Sequence, residues 1–210
     1  MKLSDMKTKN NTMNVSFISH SAAMSGAERA LLENIDLLLG QDISVHVIIP
    51  DHGLLENELV KRNVPFDIIS LPWWANIKEK DLESTNNRIL ESSFELAAKL
   101  SVVRPNIIVT STSVISEGAL AADMLGIPHV WNISEFGKKE HGVKYMLSDE
   151  ERIDFIDKYS EKIFFVSQAI LDVYKEKIDS TKAVVMPNIV NVDSKNLSNV
   201  SFFKNSNTLK

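Results

Sequence analysis

A chain of 210 residues that is 44% hydrophobic and 24% charged can bury a sizeable core, which excludes a disordered or collagen-like polymer. With no cysteine it has neither a disulfide framework nor a thiolate zinc site, a composition that fits a reducing, cytoplasmic setting. The formal net charge of -5, with no dense Lys/Arg block, argues against nucleic acid as a partner.

The polar opening "MKLSDMKTKNNTMN" lacks the apolar h-region of a secretory signal, and residues 1–12 read as a disordered tail. Short Val-, Ile- and Phe-rich runs then alternate with segments of helical period. Strands are expected at 13–19, 43–50, 65–71, 106–112, 128–134, 162–167 and 183–187. Ala27, Ala30, Leu31, Ile35, Leu38 and Leu39 recur at the three-and-four spacing of a helix that Gly40 ends. Further helices are expected at 54–63 and at 87–103, the latter stopped by Pro105. Ser116 and Glu117 open the next, "EGALAADML", which closes at Gly126. No stretch approaches the ~20 apolar residues of a spanning helix, since Asp123 breaks "GALAADMLGI", so any membrane contact would be peripheral. Ser148 is an expected N-cap, with Asp149, Glu150 and Glu151 in the first turn of a helix to about Tyr159. In the last helix, "SQAILDVYKEKI", Ile170, Val173, Tyr174 and Ile178 share one side. The pattern predicts one α/β domain over 13–193, a Rossmann-like, doubly wound, mostly parallel sheet of about seven strands. The Asn/Ser-rich residues 194–210 read as a linker or fray.

In such sheets ligands bind at the carboxyl ends of the strands. That selects the loops at 20–27, 51–53, 72–77, 111–116, 135–144 and 188–193. The first, "HSAAMSGA", feeds a helix N-terminus whose unpaired N–H groups favour an anion, and its small side chains admit one closely. Gly26 is its single glycine, so neither G-x-G-x-x-G nor a Walker pattern is present, and Glu28 either answers the helix dipole or repels a buried phosphate. "WNISEFGKKEHG" offers Asn132, Glu135, Lys138, Lys139, Glu140 and His141 in one loop. Trp73 and Trp74 suit stacking on a sugar or base, or packing at the sheet edge. "TSTS" at 110–113 suggests helix capping, and His46 and His129 suggest packing within strands. No catalytic triad and no metal-ligand cluster is legible.

Taken together, five segments resemble family 4 glycosyltransferases. "SGAERALLENIDLLLGQDISVHVIIP" resembles that family's opening strand, Gly-Gly-Ala-Glu type loop and His-x-Val strand, and "PDHGLLENELVKRNVPF" its Pro-x-x-Gly-x-Leu segment. "GALAADMLGIPHVWNISEFGKKEHG" is similar to its Ala-rich helix, Gly-Ile-Pro turn and Trp-x-x-x-Glu-Phe-Gly loop, and "IFFVSQAI" and "VVMPNIVNVD" to the strands before its hinge. The likeness covers 13–193.

This resemblance implies a GT-B architecture, two Rossmann-like domains across a cleft, that moves a sugar from a nucleotide-sugar donor to a glycan or lipid-linked acceptor, with retention and without a metal or other cofactor. The chain resembles the N-terminal, acceptor-side domain, and the C-terminal donor-binding domain is missing from it. On its own it is expected to be inactive. By the same resemblance, Ser25, Gly26 and Ala27 lie against the donor phosphates, Glu135 and His141 are the catalytic candidates, and Asn132, Ser134, Lys138, Trp73 and Trp74 fall to acceptor and sugar. Two departures stand out: Ser25 replaces a second glycine, and Ser134 replaces the His or Arg common beside the glutamate. They favour one alternative, a non-catalytic or separately encoded acceptor-binding half. A sugar-nucleotide epimerase or reductase is the other alternative, disfavoured by the lack of G-x-G-x-x-G. Nothing in the sequence selects a sugar.

Overall fold

The computed structural model of the chain describes residues 13–75, 78, 81–136 and 145–188. The tail at 1–12 and the linker at 194–210 lie outside the described residues. Seven strands form one parallel sheet: β1 (Asn14–Ile18), β2 (Ser44–Ile49), β3 (Phe66–Ile68), β4 (Ile107–Ser111), β5 (His129–Ile133), β6 (Lys162–Phe165) and β7 (Ala183–Val185). Six described helices connect them: α1 (Gly26–Leu39), α2 (Leu54–Lys61), α3 (Leu82–Val103), α4 (Glu117–Leu125), α5 (Asp149–Lys158) and α6 (Gln168–Tyr174).

Strand order is β3-β2-β1-β4-β5-β6-β7, so the winding reverses between β1 and β4. At such a reversal the two following loops diverge and leave a crevice at the carboxyl edge. This is the Rossmann-like arrangement the alternation predicted. The strands are near-continuous apolar runs because helices cover both faces. Ile18, Ile48 and Ile108 pack with Leu96, Leu100 and Ala121 on the face under α3 and α4. Val15, Phe17, Val47 and Ile49 pack with Leu31 and Leu59 on the face under α1 and α2. A third cluster joins β5 and β6 to α5 and α6 through Trp131, Ile156, Phe165 and Tyr174. Close approach fixes α4: a Cβ on Gly118 would lie 2.0 Å from Thr110 Oγ1 and 3.1 Å from Ile18 Cγ1, so only glycine lets this helix seat over the β1/β4 reversal.

Several boundaries differ from the sequence expectation. Helix α3 starts at Leu82, not 87, because its first turns expose every side chain but Thr85 and half-buried Leu82 and so show no apolar period. Its C-terminal end, Val103, is as expected, with Arg104 before Pro105 closing it in a left-handed conformation (φ 53°). Strand β3 ends at Ile68 rather than 71, and α6 closes at Tyr174. On α1, Leu32 is buried while Leu39 is exposed. Gly40 ends α1 in ordinary right-handed geometry, and the left-handed residue of that turn is Asp42 (φ 58°).

Candidate functional site

The β1–α1 loop supplies the first wall of the crevice. Ser25 is the N-cap of α1, and its N–H and Oγ both donate to Glu28 Oε2, the N–H at 2.8 Å. The first backbone bond of the helix is Arg29 N–H to Ser25 O at 3.2 Å, which leaves the N–H groups of Gly26, Ala27 and Glu28 without an intrahelical carbonyl. Gly26 is exposed, with no atom within 4 Å of where a Cβ would stand, and Ala27 is half-buried. Glu28 is fully buried. Its Oε1 lies 3.7 Å from His20 Nδ1, and neither atom has a hydrogen-bond partner among the described residues. Burial holds the His20 imidazole below its usual pKa, against the opposing pull of Glu28 and then Glu135.

His20 leads into a cavity of about 650 Å³ at the carboxyl ends of β1, β2 and β3, bounded also by Ala22, Asp51, Gly53 and Trp73. Trp73 is 42% exposed and its plane is fixed twice: Nε1 donates to His20 O at 3.1 Å, and its ring meets the His20 ring at 5.5 Å. Trp74 turns the other way. It is buried, stacks on Trp131 at 6.2 Å and donates Nε1 to Ser113 O at 2.6 Å, so it is a core residue and not the sugar platform the sequence suggested. Consecutive residues in an irregular segment diverge in this way because no shared period binds them to one face.

The β4–α4 loop forms the second wall. None of the "TSTS" hydroxyls caps α4, contrary to the capping expectation, because Ser116 is the N-cap and Glu117 Oε2 itself takes the Ser116 N–H at 2.8 Å. Thr110 Oγ1 instead meets His129 Nε2 at 2.8 Å. Thr112 adopts a left-handed backbone (φ 71°), uncommon for a β-branched residue, and its buried Oγ1 has no partner among the described residues. Ser113 ties three groups together. Its N–H donates to Glu135 Oε1, its Oγ meets Tyr145 Oη at 3.0 Å, and its carbonyl accepts from Trp74.

The third wall follows β5. Glu135 Oε2 accepts from the N–H and the Oγ of Ser134, each at 3.1 Å, so Ser134 orients the carboxylate beside it. Asn132 is half-buried at the end of β5, and its Oδ1 lacks a partner among the described residues. Lys138 and His141 lie outside the described residues, as do Lys139 and Glu140. The structure thus brings Ser25, Gly26, Ala27, Trp73, Asn132, Ser134 and Glu135 to one edge of the sheet. His46 and His129 are buried in their strands; burial pulls His129 down to about 4. Among the described residues no three His, Asp or Glu side chains converge as a metal site, and no helix is long and apolar enough to cross a membrane.

Sequence reasoning missed roles for His20, Thr112, Ser113, Tyr145 and Arg152. Arg152 did carry a signal: it stands four residues before Ile156, on the inward face of α5. Ser113 and Tyr145 depend on contacts across 22 or 32 residues of chain, Ser113 with Glu135 and with Tyr145, and His20 meets Trp73 across 53, which no local pattern encodes.

No family model and no curated protein matches the chain. Solved structures do match it. HepE of Anabaena in complex with UDP-glucose superposes with a TM-score of 0.64 at 13% identity, covering 89% of this chain and 48% of that one. A glycosyltransferase from Rickettsia africae gives 0.62 at 18%, covering 90% and 48%. The UDP-GlcNAc 2-epimerase of Methanocaldococcus jannaschii gives 0.55 at 18%, covering 84% and 46%. At these identities the likeness is one of fold, that of a Rossmann-like half of a GT-B architecture. The chain spans about half the length of the solved structures it matches.

Proposed function

We propose that the chain is the acceptor-side half of a glycosyltransferase that uses a nucleotide-sugar donor and a glycan or lipid-linked acceptor, its donor-binding half being a second Rossmann-like domain. One observation carries the reading. Four of the five buried polar atoms without a partner among the described residues, on His20, Glu28, Thr112 and Asn132, lie at the carboxyl edge where the sheet reverses. Unsatisfied buried polar groups are costly, and they persist where a ligand completes them. That HepE is solved with UDP-glucose, in a fold of this kind, supports a nucleotide sugar as that ligand.

In this reading transfer proceeds with retention and without a metal. Charge then develops as an oxocarbenium on the sugar and on the departing diphosphate, so positioned dipoles do most of the catalytic work. The free N–H groups of Gly26 and Ala27, with Ser25 as cap, face the donor diphosphate. Glu135, with His141, takes acceptor or sugar hydroxyls; its carboxylate is already set by Ser113 and Ser134. Asn132, Ser134, Lys138 and Trp73 line the acceptor side, whereas Trp74 is withdrawn from it by burial. We place the protein in the cytoplasm, with peripheral contact at the inner face of the membrane.

Titration calorimetry of the chain with UDP-, GDP- and TDP-sugars tests the division of labour. The expected result is no binding tighter than about millimolar, since one lip of a cleft forgoes most of the contact a closed site makes. Micromolar binding would overturn it. A second reading, half of a sugar-nucleotide 2-epimerase, draws on the M. jannaschii likeness at its lower TM-score. Product analysis separates the two, because an epimerase converts the nucleotide sugar without an acceptor.

A further inference from the structure

Arg152 is 2% exposed, yet no carboxylate among the described residues pairs with it closely, Asp149 Oδ1 standing 3.8 Å from its Nη2. Its Nε has no partner there at all. A buried cation held this way costs stability that an apolar side chain of similar volume would not. What surrounds it is aromatic. The guanidinium carbon lies 4.4 Å from the centroid of Tyr145 and 5.3 Å from that of Tyr174, and Nη1 donates to Tyr174 Oη at 2.9 Å.

Tyr145 leads from this cation to the candidate site. Its backbone bridges Ala75, and the following Met146 N–H donates to Trp74 O at 2.8 Å, so the strand-like segment is pinned to the Trp74 loop. Its hydroxyl then reaches Ser113 Oγ at 3.0 Å, and Ser113 N–H in turn donates to Glu135. Burial pushes the Tyr145 phenol up to about 12, so it keeps its proton and remains a donor.

We infer that Arg152 is a positioning residue for Glu135, acting through the ring and hydroxyl of Tyr145 and the peptide of Ser113. The inference rests on the proposed function only in taking Glu135 as a site carboxylate. The guanidinium holds the Tyr145 ring by its face, the ring aims the hydroxyl, and the hydroxyl fixes the Ser113 turn whose N–H presents itself to the carboxylate. Because Ser113 also accepts from Trp74, the turn is held from two directions, and the Tyr145 arm is the one Arg152 controls.

Amide hydrogen exchange in the chain, followed by nuclear magnetic resonance, tests this without any substrate. Arg152→Met keeps the volume and removes the charge; Tyr145→Phe keeps the ring and removes the hydroxyl. Both should speed exchange of the Ser113 amide by about tenfold while the amides of Val109 and Thr110 in β4 stay as they were. Arg152→Lys, which retains a cation over the ring, should recover most of the protection. Unchanged Ser113 exchange in Tyr145→Phe overturns the inference, as does a uniform rise across the sheet, which would mark Arg152 as a packing residue; Tyr145→Phe decides the matter if Arg152→Met does not fold. In the complete transferase, Arg152→Met should lower kcat about tenfold at unchanged donor KM. A local change at Ser113 with normal turnover would leave the positioning in place and remove Glu135 from the catalytic site, so the two readings fail separately.

Discussion

His20 Nδ1 faces Glu28 Oε1 across 3.7 Å, and among the described residues neither atom is hydrogen-bonded. Burial holds the imidazole below its usual pKa, while the other carboxylate oxygen is held by Ser25. Beyond about 3.2 Å an N–H donor gains little, so two buried polar atoms stand close without satisfying each other. Glu28→Gln turns one of them into a donor while its carbonyl still accepts from Ser25. The variant should be more stable by about 1 kcal/mol in urea unfolding at pH 7.5, and under the proposed function turnover should be slower in the protein carrying it. A stability loss of that size would instead mean that the pair is ionised and attractive.

Glu135 is held by the Ser113 N–H and by Ser134, so deletion has two consequences. Glu135→Ala leaves the buried Ser113 N–H without its acceptor, at a cost of roughly 1–3 kcal/mol, besides any loss of activity. Glu135→Gln keeps one acceptor for Ser113 but presents an amide to the Ser134 donors if it does. Turnover should fall tenfold or more in both, about 1.4 kcal/mol of transition-state stabilisation, with the smaller loss of melting temperature in Gln. Wild-type rates in either variant would take this residue out of the reaction.

The sheet could be read from the chain because strands buried on both faces must be largely apolar, as "SVHVII" and "NVSFI" are apart from the buried His46 and Ser16. The helices could be read where one face is apolar and not elsewhere, which is why the first turns of α3 were lost. The site was legible as loops rather than as contacts. Its position follows from topology alone, but Trp73 and Trp74 part ways, and Ser113 meets Glu135, only once strands distant in sequence lie side by side. Glu28 shows the limit most plainly: a glutamate in a first helical turn is ordinary, and its complete burial against His20 comes from the β1–α1 loop folding over it.

Two glycines in neighbouring loops should behave oppositely. A Cβ on Gly53 would stand 2.3 Å from the backbone oxygen of Ala22, the same oxygen that accepts the Leu55 N–H at 3.0 Å. Gly53→Ala must therefore push α2 away from the β1–α1 loop, costing roughly 1–3 kcal/mol and, for a domain of this size, about 2–4 °C of melting temperature per kcal/mol. Gly26 has nothing within 4 Å of such a Cβ, and it sits at the first position of α1. Gly26→Ala should leave stability unchanged or raise it by up to about 1 kcal/mol. If, as proposed, a donor diphosphate packs against that backbone, the same methyl raises donor KM. An unaltered KM would place the phosphates elsewhere.

Glu117 and His129 should make stability depend on pH in opposite senses. Burial raises the Glu117 pKa from 4.5 to about 7. Between these values the unfolded chain has released a proton that the folded chain still holds, so stability falls as pH rises, by about 1.4 kcal/mol per unit and about 3 kcal/mol in all. Burial lowers His129 from 6.5 to about 4. Here the unfolded chain binds a proton that the folded chain refuses, so the stability present above 6.5 is lost as pH falls towards 4, again by about 3 kcal/mol. From pH 6.5 to 4.5 these two slopes oppose each other, while His20 and His46, also lowered by burial, act in the same sense as His129, so wild-type stability should fall less steeply with falling pH than it would without the Glu117 carboxyl. Glu117→Gln removes one of them. Its amide carbonyl can still accept the Ser116 N–H, so the variant should gain about 3 kcal/mol at pH 7.5 and then lose most of it between 6.5 and 4.5. Urea denaturation at closely spaced pH values measures both curves. A variant whose curve runs parallel to the wild type over that window would show that Glu117 does not hold its proton in the folded protein.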